Sequence, residues 1–147
     1  MLRNPKVKGS RAENELADTL WERGFAVVRG PSSGGGSRRR FQPDLVAIKD
    51  GRVVVIEVKS RSDEGPLYIS AEQVMGLSEF AKRSGGIALL AFRLRGGEWR
   101  FHSIDELVPT GASFRLDDPA SGMKLRDVEE LLERRHRDIT SYFKKEP

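Results

Sequence analysis

The chain has 147 residues, with 26 Lys and Arg against 22 Asp and Glu for a net charge of +4, and no cysteine. That length suits one domain able to bury a core without staples, and the missing cysteines exclude disulfide frameworks, thiolate zinc sites and cysteine nucleophiles while favouring a reducing, intracellular setting. No apolar run reaches the ~20 residues of a membrane-spanning helix, and the opening MLRNPKVKGSRAE lacks the apolar core of a signal peptide, so a soluble protein with no membrane partner is expected.

Ser10 followed by Glu13 forms a capping box, and Leu16, Ala17, Leu20 and Trp21 recur at helical spacing until Gly24, which predicts a helix over about 11–23. FAVVR (25–29) is short, apolar and rich in β-branched residues, hence a strand. GPSSGGGSRRRFQP (30–43) denies the backbone any regular element, and its three successive arginines repel one another, so a mobile basic loop is expected. DLVAIK and RVVVIEVKS follow as two strands joined by Asp50-Gly51, a strong signal for a two-residue hairpin turn. Residues 62–69 read as a connection. Ser70 and Gln73 repeat the capping-box pattern at the head of a second helix ending near Arg83, before Gly85-Gly86.

IALLAFRLR (87–95) reads as a buried strand, and EWRFHS (98–103) as its antiparallel partner with Trp99 and Phe101 on one face. One helical turn is expected at 103–107 and a loop over 109–122. The final helix, KLRDVEELLERRHRDITSYF, carries Leu125, Val128, Leu132, Ile139 and Tyr142 as an apolar stripe. The order α-β-β-β-α-β-β-α predicts an α/β fold with a mixed central β-sheet flanked by helices. It forms a single domain, 1–147, with its core at about 8–104 and a C-terminal loop and helix at about 105–147.

The charge is unevenly spread. Residues 1–61 hold 13 Lys and Arg against 7 Asp and Glu, whereas residues 62–147 hold 13 against 15. A basic half suits a polyanion such as nucleic acid, although modest basicity is common among soluble proteins.

The hairpin turn sets a register. If Asp50 and Gly51 are the loop, Lys49 faces Arg52, and pairing onward at the same residue-number sum brings Asp44 opposite Glu57. Directly opposed Cβ atoms lie roughly 4.5–5.5 Å apart, where like charges repel. Side chains alternate along a strand, so Glu57 and Lys59 share a face. An isolated Glu-x-Lys is usually a solvated strand end, but an opposed second carboxylate favours a hard divalent cation, for which Mg²⁺ is the natural choice. Lys59 would orient water or stabilise charge on phosphoryl oxygens.

Glu13 fits two roles, as the N3 member of the capping box or as an inward carboxylate sharing a stripe with Ala17 and Leu20. The loop leading into Asp44 is either an inert tip or a substrate-binding segment. In the second case Arg38, Arg39 and Arg40 neutralise a phosphate backbone, and Ser32 or Ser33 donates to the scissile phosphate. Gln73 is a cap that can also look into the site. His102 and His136 have no partner at ligand spacing and read as structural or surface residues. Met75 and the aromatics read as core or interface.

At Pro43-Asp44 and Glu57-Val58-Lys59, with an acidic helix upstream, the sequence resembles the PD-(D/E)xK nuclease superfamily. More narrowly it resembles the archaeal Holliday-junction resolvases, through KGSRAENEL (8–16), RGFAVVRGPSSGG (23–35), PDLVAIKDG, IEVKSR and EQVMGLSEFAKRSGG (72–86). The resemblance implies a restriction-endonuclease-like fold with an αβββαβ core. It also implies catalytic acids Glu13, Asp44 and Glu57 around Mg²⁺ or Mn²⁺, Lys59 as the catalytic lysine, and a loop serine that corresponds to Ser33 or the adjacent Ser32.

A homodimer that makes paired symmetric nicks in a four-way DNA junction would follow, as would a cytoplasmic, nucleoid-associated setting. Lys6, Lys8, Arg11, Arg29 and Arg61 would lie on the junction-binding face. The triple-arginine loop has no position-by-position counterpart, and the likeness thins after about residue 104. The sequence therefore points to a metal-dependent endodeoxyribonuclease resolving Holliday junctions. The alternatives are a PD-(D/E)xK repair or restriction-type nuclease on other DNA, and a non-catalytic DNA-binding module.

Overall fold

The computed structural model describes the backbone of residues 5–31 and 40–144 and the side chains of residues 10–31 and 40–135. α1 (Pro5–Glu22) precedes β1 (Ala26–Arg29), and β2 (Leu45–Lys49) and β3 (Arg52–Arg61) form the expected hairpin. β4 (Leu67–Ser70) runs directly into α2 (Ala71–Ser84), followed by β5 (Ile87–Leu94) and β6 (Arg100–Ser103). A 3-10 turn (Ile104–Glu106), β7 (Val108–Thr110), β8 (Ser113–Leu116) and α3 (Leu125–Lys144) complete the chain. Among the described residues, no helix is long and apolar enough to cross a membrane.

The first helix begins earlier than its sequence suggests. Pro5 occupies the first helical position, where a missing N–H costs nothing and a fixed φ favours the helix. Ser10 therefore lies inside α1 and is not its cap, which corrects the Ser10/Glu13 capping box. Its hydroxyl accepts instead from Arg29 Nη2 at 2.7 Å.

The hairpin behaves as its turn dictates. Asp50 and Gly51 have φ of 52° and 76°, the doubly positive pair of a I′ turn, and the register runs from Lys49↔Arg52 to Leu45↔Ile56. The main sheet has the order β1-β2-β3-β5-β6, with β3 parallel to β5 and the other pairs antiparallel. Helices cover both faces of this parallel centre, which is why Val54–Val58 and Ala88–Phe92 are buried without interruption.

On one face α1 sets Ala12, Leu16 and Leu20, and α3 sets Val128 and Leu132, against Leu45, Ala47, Val54, Ile56 and Ala91. On the other face, Leu77 and Ala81 of α2 pack on Val55 and Ala88. Fully burying each large side chain of this kind contributes about 1.5–3 kcal/mol. The side chains of His136, Ile139 and Tyr142 fall outside the described residues.

A second sheet, β4-β8-β7, corrects the reading of 62–69 as a connection and 109–122 as loop. Its strands have three or four residues, and Leu67 pairs with the distant Leu116, so no local window reveals the pairing. One trace was present: Leu67 and Ile69 are buried while Tyr68 and Ser70 are exposed, the period-two pattern of a strand. The sheet closes a core of Leu67, Ile69, Val74, Leu90, Phe92, Leu107 and Leu116. His102 is structural, as expected. It is buried, with Nε2 2.8 Å from the Pro119 carbonyl and Nδ1 3.3 Å from Glu106 Oε2.

Candidate active site

Glu57 is 5 % exposed, the one charged residue within the buried run Val54–Val58 of β3. By alternation it shares the α2-facing side of β3 with Val53, Val55 and Lys59. One step beyond Leu45↔Ile56, the register sets Asp44 opposite Glu57. The backbone N–H of Val58 donates to Asp44 Oδ2 at 2.8 Å, and Gly30 N–H donates to the Asp44 carbonyl at 2.9 Å. Lys59 Nζ lies 3.6 Å from Glu57 Oε1, and Gln73 Nε2 donates to the same oxygen at 3.2 Å. Burial, then the charge of Asp44, pushes the Glu57 carboxyl up to about 8 against the opposing pull of Lys59. Two acids and an ammonium thus meet at the open end of the β2–β3 hairpin, as the register predicts.

The segment carrying Asp44 is clamped at both sides. A Cβ on Gly30 would stand 2.2 Å from the Pro43 carbonyl oxygen, and one on Gly76 would stand 2.2 Å from the ring of Phe41. Only glycine lets the end of β1 and the face of α2 approach so closely. Neither glycine stood out in the sequence, because the group each one meets lies on a different element.

Glu13 sits at the edge of this cluster. Its Oε2 accepts from Arg29 Nε at 2.9 Å, while Arg29 Nη1 donates to Asn14 Oδ1 at 3.0 Å. Burial raises the Glu13 carboxyl; the Arg29 hydrogen bond opposes this and the charge of Asp44 adds to it. Glu13 is therefore the inward carboxylate, though no three His, Cys, Asp or Glu side chains converge on one ion position among the described residues. Asn14 was not singled out from the sequence, since only the fold brings Arg29 across it.

The basic residues divide into two groups. Arg29 is engaged by Ser10, Glu13 and Asn14. Arg61 donates to the carbonyls of Asp63 and Pro66 at 2.9 Å each and to that of Gly65, with its guanidinium 5.5 Å from the Phe92 ring centre. Arg11 and Arg40 are exposed. Ser32, Ser33, Arg38, Arg39 and the side chains of Lys6 and Lys8 lie outside the described residues. Two open clefts of about 420 and 460 Å³ border α2 and the 3-10 turn, but Asp44, Glu57 and Lys59 line neither.

The family model of the archaeal Holliday junction resolvase (Hjc) matches residues 4–137. The crossover junction endodeoxyribonuclease Hjc of Sulfurisphaera tokodaii is 40 % identical over 131 residues, covering 87 % of this chain and 90 % of its own. The Hjc of Sulfolobus acidocaldarius is 39 % identical over 127 residues, covering 86 % and 87 %. Among solved structures, Archaeoglobus fulgidus Hjc, a Holliday junction resolvase from an archaeal hyperthermophile, matches with a TM-score of 0.70 at 34 % identity. That match covers 82 % of this chain and 94 % of the other. The bacterial homing endonuclease I-Ssp6803I matches with a TM-score of 0.58 at 16 % identity, over 95 % and 99 %, and shares the fold alone. The mixed-sheet, restriction-endonuclease-like architecture expected from the sequence is borne out.

Proposed function

The chain belongs to the archaeal Holliday junction resolvase family and is an endodeoxyribonuclease, and we propose that Asp44 and Glu57 hold the metal with which it cuts four-way DNA junctions. The observation that carries this reading is the meeting of Asp44, Glu57 and Lys59 at the open end of the β2–β3 hairpin.

The donor set suits a hard divalent cation. Two carboxylates opposed across a hairpin, one of them buried, repel each other, and a divalent cation held by them would relieve that repulsion. Mg²⁺, with Mn²⁺ as substitute, needs only one or two protein carboxylates and takes its other oxygens from water and phosphate. When bound, such an ion makes water nucleophilic near neutral pH and offsets charge on the phosphoryl oxygens.

Lys59 orients the attacking water and adds positive charge where the phosphate gains negative charge. Glu13 supports the metal shell from α1, its direction set by Arg29. Ser33, or Ser32 beside it, donates to the scissile phosphate. Arg11, Arg40, Arg38, Arg39, Lys6 and Lys8 carry the phosphate backbone. Arg29 and Arg61 shape that surface from beneath.

We further read the enzyme as a homodimer, because symmetric cutting of a four-way junction needs two sites. Exposed Val28 and Ile48 on one side of β1 and β2 offer apolar surface to a second copy. Action on chromosomal DNA implies a cytoplasmic, nucleoid-associated enzyme.

The test is a synthetic four-way junction beside a duplex of the same sequence, with and without Mg²⁺. Paired nicks in the junction, absent in EDTA and absent from the duplex, are expected. Equal cutting of the duplex would favour a repair or restriction-type nuclease, and binding without cutting at any Mg²⁺ concentration would mark a non-catalytic module.

A further inference from the structure

The small sheet leads into α2, whose first turn reaches Glu57. β4 pairs with β8 from Leu67↔Leu116 to Ser70↔Ser113, and Ala71 N–H extends the pairing to the Ala112 carbonyl at 3.1 Å. Ser70, extended at φ −63° and ψ 148°, is the N-cap of α2, and its Oγ accepts from Gln73 N–H at 3.1 Å. A glutamine three residues after such a cap ordinarily turns its side chain back to the cap N–H. Here the carboxamide turns to the sheet and donates to Glu57 Oε1.

Lys59 Nζ addresses that same oxygen, so Gln73 and Lys59 together commit Oε1 and leave Oε2 as the oxygen to face a cation. A neutral donor suits this task. It fixes the carboxylate without supplying a charge that would compete with the metal. The cap on Ser70 and the β4–β8 pairing fix where α2 starts, and hence where this amide stands.

We propose that Gln73 is a positioning residue of the nuclease, holding Glu57 Oε1 so that Oε2 is presented to the divalent ion beside Asp44, and that the β4–β8 sheet exists in part to place it. The proposal rests on the reading of Glu57 as a metal ligand.

Gln73→Met keeps the side chain's length and removes its donor. Calorimetric titration of the full-length protein with Mn²⁺ should show affinity about tenfold weaker than wild type, the scale expected when a hydrogen-bond partner of a metal ligand is removed. The Mg²⁺ concentration giving half-maximal junction cleavage should rise by a similar factor. Cleavage at saturating Mg²⁺ and junction binding in EDTA should stay close to wild type. Ser70→Ala, which loosens the helix start while retaining the Gln73 carboxamide, should shift the Mg²⁺ requirement in the same direction by a smaller factor.

A readout that needs no metal is the side-chain amide resonance of Gln73, which should move toward its solvent-exposed position in Glu57→Ala. Unchanged metal affinity in Gln73→Met with a wild type that binds Mn²⁺ would overturn the assignment of Gln73 alone. A wild type that neither binds Mn²⁺ nor cuts the junction would overturn the metal-site reading, and this proposal with it.

Discussion

The backbone N–H of Val58 donates to Asp44 Oδ2, so the residue between the acid and the lysine of β3 orients the acid across the hairpin. Asp44→Asn keeps an acceptor for that N–H, whereas Asp44→Ala leaves it without one. Both variants should lose metal-dependent cleavage, but only alanine should lose about 1–3 kcal/mol of stability. Urea denaturation of the pair, compared with wild type, checks the distinction.

Glu57→Gln removes the charge and preserves shape. Cleavage of a four-way junction should be abolished in Mg²⁺ while fold and junction binding survive. A purified Glu57→Gln protein that still cuts would show the site to be misassigned.

The metal-free protein should become less stable as pH rises. The Glu57 carboxyl stands at about 8 in the folded chain against an ordinary value of 4.5, so between these the folded state holds a proton that the unfolded state has released. The stability this proton represents is complete below about pH 4.5 and is lost as pH climbs through 8. Thermal midpoints should therefore fall across that window, Glu57→Gln should flatten the fall, and Mg²⁺ should raise the midpoint more at about pH 8 than at about pH 5.

Gly30→Ala places a methyl group against the Pro43 carbonyl, which is backbone and cannot swing away. The strand end must shift, at a cost of about 1–3 kcal/mol, and Asp44 must move with it. Reduced stability together with a larger proportional loss of cleavage is the expected result, measured by denaturation and by turnover at saturating Mg²⁺.

Replacing Arg38, Arg39 and Arg40 with alanine should weaken junction binding and flatten its dependence on salt. Each phosphate that is no longer neutralised lowers the log–log slope by about 0.9. Slopes unchanged from wild type would reduce this segment to a spacer.

Much of the site was legible in the chain because its cause is local. Asp50-Gly51 requires a I′ turn, the turn dictates the pairing of β2 with β3, and the pairing brings Asp44 to Glu57 within one short hairpin. The apolar runs of β3 and β5 and the cap at Ser70 are similarly short-range signals, read correctly for that reason.

Residues distant in sequence decided the rest. Ser10 and Glu13 fit a capping box until Pro5 extends the helix past them and Arg29, on another element, takes both side chains. β4, β7 and β8 are too short to announce themselves and form only by pairing with one another. Gln73 carries the same cap signal whichever way its amide turns, and only the packing of α2 on β3 sends it to Glu57. The sequence determined the longer elements and the one hairpin register on which the chemistry depends, since backbone preference and side-chain alternation act over a few bonds. The tertiary structure alone decided which polar groups support the acids, because a hydrogen bond between distant residues exists only once the whole sheet has assembled.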